Sequence, residues 1–199
     1  MDTSTVTLFF ALLAVACEIF VVVAIALSLG GVLSTTVAGW RDRLRAELAG
    51  TGLWLAFLIA SVATAGSLYL SEIAHFEPCR LCWIQRGFMY PLVPILGFAA
   101  WRGATRVRWF AIPWSLAGAS VSTWHVLIEH FPDLEGTTSC DPVNPCSLKW
   151  VEELGYLTIP TMALSGFLAI IALLALLPSA GARAASPSES PQSLEHLTP

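Results

Sequence analysis

Five apolar stretches, at 6 to 29, 53 to 74, 87 to 101, 109 to 128 and 159 to 177, constrain this sequence more than any other feature. A helix needs roughly 20 mainly apolar residues to cross about 30 Å of hydrocarbon. Each stretch is therefore expected to span a membrane; the third is the shortest, with Phe88 and Trp101 placed to anchor its ends in the interface. Hydrocarbon offers no partners to backbone N–H and C=O groups, so segments of this length must satisfy them internally as helices. Only 12% of the residues are charged, about half the share of an average soluble domain. The fold class expected is an all-α integral membrane protein.

The first stretch opens "MDTSTVTLFF", with an Asp and no basic flank, and its apolar run exceeds that of a signal peptide, so a retained helix is expected. Basic residues in short loops stay on the cytoplasmic side. Arg41, Arg43 and Arg45 fall in one expected loop, Arg102, Arg106 and Arg108 in another, and Arg183 follows the last span. Five spans threaded through that constraint put the N-terminus outside, the C-terminus in the cytoplasm, and the loops at 75 to 86 and 129 to 158 outside. Those outer loops carry Glu77, Asp133, Glu135, Asp141, Glu152 and Glu153 against only Arg80, Arg86 and Lys149. No basic surface interleaved with aromatics points to nucleic acid. The tail from 179 to 199 is rich in Pro, Ser and Ala without apolar periodicity and is expected to be disordered.

Cys79, Cys82, Cys140 and Cys146 all fall in the two outer loops, and Cys17 lies inside the first span. Thiols outside a plasma membrane tend to be oxidised, and the simplest pairing is one disulfide within each loop. Three readings compete. A four-thiolate zinc site is disfavoured because C-x-x-C meets C-x5-C across a span, instead of a second short knuckle. Two static disulfides could staple the loops. A redox role is favoured by local chemistry: if Pro78 starts a helix, Cys79 sits in its first turn, where free N–H groups stabilise a thiolate. Cys82 follows one turn on, and Arg86, four residues further, shares its face and can hold a positive charge beside its sulfur. The loop from 130 to 160 contains Pro132, Gly136, Pro142 and Pro145, so it is expected to swing and bring Cys146 against Cys79. Within it Leu148, Trp150, Val151 and Leu154 suggest a short helix lying on the bilayer or packed on the span ends.

The segments "GSLYLSEI", "PCRLCWIQRGFMYPL", "TRVRWFAIPWSLAGASVSTWHVLIEH", C-x5-C and "GYLTIP" resemble the disulfide bond formation protein B (DsbB) family, most closely its BdbC-like branch. The resemblance runs from about residue 53 to 177. It implies a four-helix transmembrane bundle at 51 to 178; the additional N-terminal transmembrane helix and cytoplasmic loop expected at 1 to 50 depart from the family pattern. It also implies a bacterial plasma-membrane enzyme that re-oxidises an extracytoplasmic thioredoxin-like thiol oxidase of the DsbA or BdbD kind. Electrons then pass to a membrane quinone, menaquinone or ubiquinone. Carried over by position, Cys79 and Cys82 match the pair that exchanges electrons with quinone, with Cys82 next to the ring and Arg86 beside it, and Cys140 and Cys146 match the pair that meets the partner.

Quinone reduction takes up protons, so His125 and Glu129, one turn apart near the outer end of the fourth span, are further candidates, His125 for the quinone site. Their bland alternative is contact with interfacial water. Gln85 stands where some relatives carry an acid. Cys17 reads as inert packing, whereas the carboxyl of Glu18 in hydrocarbon must be neutral or partnered and marks a contact with the core or another subunit. The rival functions are a reductase conduit, which would need reactive cysteines on the cytoplasmic side, and a non-enzymatic membrane module with structural disulfides or a four-cysteine metal site.

Overall fold

The computed structural model describes residues 3 to 137, 140 and 144 to 178. Five long helices follow one another: α1 (Thr3–Leu33), α2 (Thr35–Leu68), α3 (Arg80–Arg102), α4 (Arg108–His130) and α5 (Ile159–Leu176). The expected tail at 179 to 199, with Arg183, and the loop residues Asp141 and Pro142 lie outside the described residues.

Three stretches, Thr3–Leu33, Thr35–Ile73 and Ile159–Leu176, are long and apolar enough to cross a membrane. α3 and α4, 23 residues each, extend about 34 Å at the helical rise, but Arg80, Arg86 and Arg102 in one and Arg108, His125 and Glu129 in the other dilute their hydropathy. The outer surface is apolar: Leu29, Trp101 and Trp109 are among the large side chains facing out, which suits a lipid surround and would be a liability in water.

α2 is one helix from Thr35 on, so Arg41, Arg43 and Arg45 are helical and do not form the expected loop. The sequence RDRLRAEL is made of good helix formers with no proline, and nothing there stops the helix. Ser34 alone, in extended conformation, separates α1 from α2.

α5 lies at the centre and packs against α4, α1, α2 and α3. Between these helices Leu92, Leu96, Phe167, Ile170 and Leu174 are fully buried. Small residues bring backbones close, as is usual among membrane helices: a Cβ at Gly118 of α4 would come within 2.5 Å of the Phe167 ring of α5. Pro91 and Pro94 lie inside α3 and Pro113 inside α4, which membrane helices tolerate because neighbours take up the freed carbonyls.

Arg41, Arg43, Arg45, Arg102, Arg106 and Arg108 gather at one end. Arg108 donates to the carbonyl of Leu177 just past α5 (3.1 Å), and Leu177 also abuts Gly52 of α2, the half that carries Arg41 to Arg45. The cysteine loops stand at the opposite end, before α3 and after α4.

Glu18 resolves into a contact with the core. One carboxylate oxygen accepts from Ser165 of α5 and the other from Tyr156, each at 2.8 Å. Nearer its start, α1 makes a second polar contact, Thr7 Oγ1 to Glu153 at 2.7 Å. The expected surface helix over Leu148 to Leu154 does not form. Leu154 and Gly155 take positive φ (53° and 79°), and Glu153 bridges back to Leu157; this reverses the chain where a helix would continue. Trp150 instead stacks on Phe76, ring centroids 5.3 Å apart.

Candidate active site

The chain leaves α2 through a π-helical turn, Tyr69–Ile73, and bends at His75, whose φ is 56°. It then runs extended to Cys79. Cys79 is the N-cap of α3, one position after Pro78, and its sulfur accepts the N–H of Cys82 at 3.4 Å. The expected placement inside the first turn is thus shifted outward by one residue, since the first turn of N–H groups needs an acceptor before it and sulfur serves.

Cys79 and Cys82 are free thiols with sulfurs 3.1 Å apart, whereas Cys140 and Cys146 form a disulfide. One disulfide and one dithiol replace the two disulfides expected from compartment alone, so the four sulfurs hold one electron pair. Cys79 (6% exposed) and Cys146 (1%) are buried in one cluster with Leu81 and Ile128, and Cys82 and Cys140 pack against it. The two pairs thus share one buried cluster.

Glu135 holds the disulfide loop. Its carboxylate accepts the backbone N–H of Cys146, and it also accepts from Ser147 Oγ at 2.7 Å and, more distantly, from Ser147 N. Asn144 ties the same loop to the first, donating to the Glu77 carbonyl at 3.2 Å. The segment from Asn144 to Ser147 is therefore held both to Glu135 and to the first loop.

His125 (2% exposed) lies between the two pairs. Its Nε2 is 3.0 Å from the Cys146 carbonyl and 3.6 Å from Cys79 Sγ, while its Nδ1 is 3.2 Å from the Gln85 amide nitrogen. A carbonyl can only accept, so Nε2 carries the proton and Nδ1 accepts from Gln85. The amide of Gln85 thereby fixes the tautomer that aims an N–H at the carbonyl and the Cys79 sulfur. The hydrogen bond from Cys82, helped by His125 and by the Cys82 N–H, holds the Cys79 thiol down from the usual 9.0 to about 4 against the opposing effect of burial. Glu129, one turn along from His125, accepts from Thr158 Oγ1 at 2.6 Å.

An apolar cavity of about 430 Å³ opens beside the dithiol. Cys82, Gln85 and Arg86 line it, with walls from α1, α2, α3 and α5. Cys79 and His125 do not line it; they line a smaller recess together with Cys82 and Glu129. Cys82 is the sulfur common to both spaces. Arg86 donates to the Ser67 carbonyl at 3.1 Å and lies over the Trp83 ring, 5.1 Å from its centroid. Of the site residues expected from the sequence, Cys82 and Arg86 meet at the cavity, and His125 joins Cys79 and Cys146.

Sequence reasoning missed the roles of Gln85 and Glu135. A polar side chain on an apolar helix was the available signal for Gln85; Glu135, an acid among other loop acids, gave none.

Residues 50 to 177 match the family model described as "Disulfide bond formation protein DsbB". "Disulfide bond formation protein C" of Bacillus subtilis is 43% identical over 125 residues, covering 63% of this chain and 91% of that protein. "Probable disulfide formation protein C 1" of Bacillus anthracis is 39% identical over 118 residues, 59% of this chain and 85% of the relative. "Probable disulfide formation protein" of Deinococcus radiodurans is 41% identical over 133 residues, 62% and 86% of the two chains. No solved structure matches. Since the matched region takes in both cysteine pairs, His125 and all or part of four of the five helices, the chain belongs to the DsbB family and is a bacterial membrane protein with an oxidoreductase role in disulfide bond formation.

Proposed function

We propose that the chain is a membrane thiol:quinone oxidoreductase that re-oxidises an extracytoplasmic thioredoxin-like oxidase of the DsbA or BdbD kind. One observation carries this reading: Cys82 lines a large apolar cavity while Cys79, in contact with it, is clustered with Cys146. That arrangement is a path from an exterior disulfide to a lipid-accessible space.

The cavity suits a quinone. Its volume is within the range of small-molecule sites, about 300 to 1,000 Å³, its walls are apolar, and Arg86 and Gln85 supply polar groups near Cys82. A quinone bound there would supply an acceptor for two electrons and two protons, and its reduction would balance the oxidation of one partner dithiol to a disulfide.

The protein's own steps are thiolate exchanges. A partner thiolate attacks Cys140, forming a mixed disulfide and releasing Cys146 as a thiolate. With Cys79 and Cys82 oxidised, Cys146 attacks Cys79, and Cys82 leaves as a thiolate on the cavity wall. The partner's second thiolate then attacks its own sulfur in the mixed disulfide, releasing the oxidised partner and the Cys140 thiolate. Cys140 attacks Cys146, restoring the loop disulfide and releasing Cys79. The result is the arrangement described above, with Cys140 and Cys146 bonded and Cys79 and Cys82 reduced. His125 donates toward Cys79 and eases its departure as a thiolate.

The metal-module alternative is favoured by one observation, the Cys79, Cys82 and His125 ligand atoms lying within 4.8 Å of one another. Nε2, the nitrogen nearest the sulfur, bonds a carbonyl and so carries a proton, whereas a metal ligand must be deprotonated. Cys140 and Cys146 spend their sulfurs on each other.

The test mixes purified protein with a reduced thioredoxin-like partner and ubiquinone or menaquinone, following partner oxidation and quinone reduction together. Equimolar, catalytic loss of both is expected. Partner oxidation that stops at one equivalent, or stoichiometric zinc without turnover, would defeat the reading.

The orientation proposed is N-terminus outside and C-terminus cytoplasmic, with 1 to 50 as an added segment before the bundle of 51 to 178. Clustering of Arg41 to Arg45, Arg102, Arg106 and Arg108 at the end remote from the cysteines supports it. After mild reduction of intact cells, an impermeant thiol reagent should modify Cys140 and Cys146; labelling only after lysis would reverse the orientation.

A further inference from the structure

We infer that α1 is a wall of the acceptor cavity and a determinant of which lipid oxidant fits it, an inference that rests on reading that cavity as a quinone site. The family match begins at residue 50, so α1 lies wholly outside it. Yet Phe10, Leu13, Ala14, Cys17 and Phe20 all line the cavity, and their spacing of three and four residues puts them on one face of the helix. Without α1 the cavity would be a groove open to lipid on that side, and a groove selects a ring poorly.

α1 needs no cavity in order to cross a membrane. What fixes its rotation is polar: a carboxylate in hydrocarbon is unfavourable unless partnered, and both oxygens of Glu18 are engaged, by Ser165 of α5 and Tyr156 of the preceding loop. Glu18 is adjacent to Cys17, so satisfying its oxygens turns the Phe10 to Phe20 face inward. Thr7 bonding Glu153 pins the same helix near its start. Phe10 seats on Gly66 of α2, where an added Cβ would lie 2.8 Å from the ring. The glycine leaves room for an aromatic supplied by the extra helix. Met89 and Tyr90 of α3 line the same cavity. The space is apolar with polar groups near Cys82, which fits a planar quinone ring carrying an isoprenoid chain.

The experiment uses the full chain in lipid nanodiscs. Photolysis with a short-chain azidoquinone should label a peptide within residues 10 to 20 as well as peptides of α3. Cys17→Phe, which fills the cavity from α1, should raise the KM for quinone about tenfold, the lower end of what overpacking a fitted site does, and leave the KM for the reduced partner unchanged. Val22→Phe, at a position 65% exposed on α1 and outside the cavity lining, should change neither. If Cys17→Phe fails to fold, judged by thermal melting, Phe10→Ala replaces it, with weakened discrimination between bicyclic and monocyclic quinones as the expected result. A wild-type protein that consumes quinone, is not labelled in α1 and is indifferent to these substitutions overturns this inference alone. Labelling with no change in KM or discrimination removes the selectivity role. A wild-type protein that consumes no quinone sinks the functional reading and this inference with it.

Discussion

Cys140→Ser is expected to abolish catalytic partner oxidation, by on the order of 10³-fold or more, and to leave a bond between Cys79 and Cys146 in protein held oxidised by quinone. Cys146, deprived of its loop partner, becomes a permanent thiol. It is buried in one cluster with Cys79, so it attacks the Cys79–Cys82 disulfide as soon as that forms. Cys82 is then left as a thiolate, and no Cys140 remains to resolve the crosslink. Non-reducing peptide mapping should recover the Cys79 and Cys146 peptides joined, and Cys79→Ser in the same background should eliminate that species. Cys82→Ser should also stop turnover, because the pair can no longer form its disulfide. Double variants should be no worse than single ones, as for any set of groups that act as a unit. If both single variants keep full turnover, the assigned roles are wrong; if the crosslink never appears, the two pairs do not communicate.

His125→Ala is expected to slow turnover by on the order of a hundredfold and to change the pH behaviour of Cys79. The Cys82 hydrogen bond, followed by the hydrogen bond from His125, holds the Cys79 thiol down to about 4 from 9.0. Below that value the thiol is protonated, and above it the reactive thiolate persists. Iodoacetamide should therefore alkylate Cys79 in the reduced protein at a nearly constant rate from about pH 5 to 8, whereas an ordinary thiol speeds up about tenfold per pH unit over that range. Removing His125 takes away the second favourable contribution, so the Cys79 profile should shift to higher pH. The reduced pair loses stability relative to its disulfide as a result. Each unit by which the pKa rises should lower the reduction potential of the pair by about 30 mV. Peptide-resolved alkylation and equilibration against a thiol buffer read the two effects separately. A rate profile that already climbs steeply in the unsubstituted protein, or a potential unmoved by His125→Ala, would remove His125 from this role.

The membrane class was legible because hydropathy is a property of the chain taken segment by segment. The expected stretch 159 to 177 coincides with α5 to within a residue, and 6 to 29 and 109 to 128 fall inside α1 and α4, which extend one to four residues further at each end. Both cysteine pairs were equally legible, since spacing and the apolar runs that flank them are local. Local pattern failed in two places. The Arg41 to Arg45 segment, polar between two apolar runs, suggested a loop, but polarity does not stop a helix made of good helix formers. The Leu148 to Leu154 stripe suggested a helix, but Leu154 and Gly155 turn the chain back.

What the sequence determined by itself was the material: apolar helices, two cysteine pairs near their ends, and a basic end opposite. The tertiary structure alone decided which sulfur faces which neighbour. Gln85 and His125 are 40 residues apart, and Glu135 grips Cys146 from 11 residues away; α1 reaches α5 across 147. How far each helix is rotated about its axis sets whether Cys82 or Cys79 looks into the cavity. That rotation comes from packing between helices, which no single segment encodes.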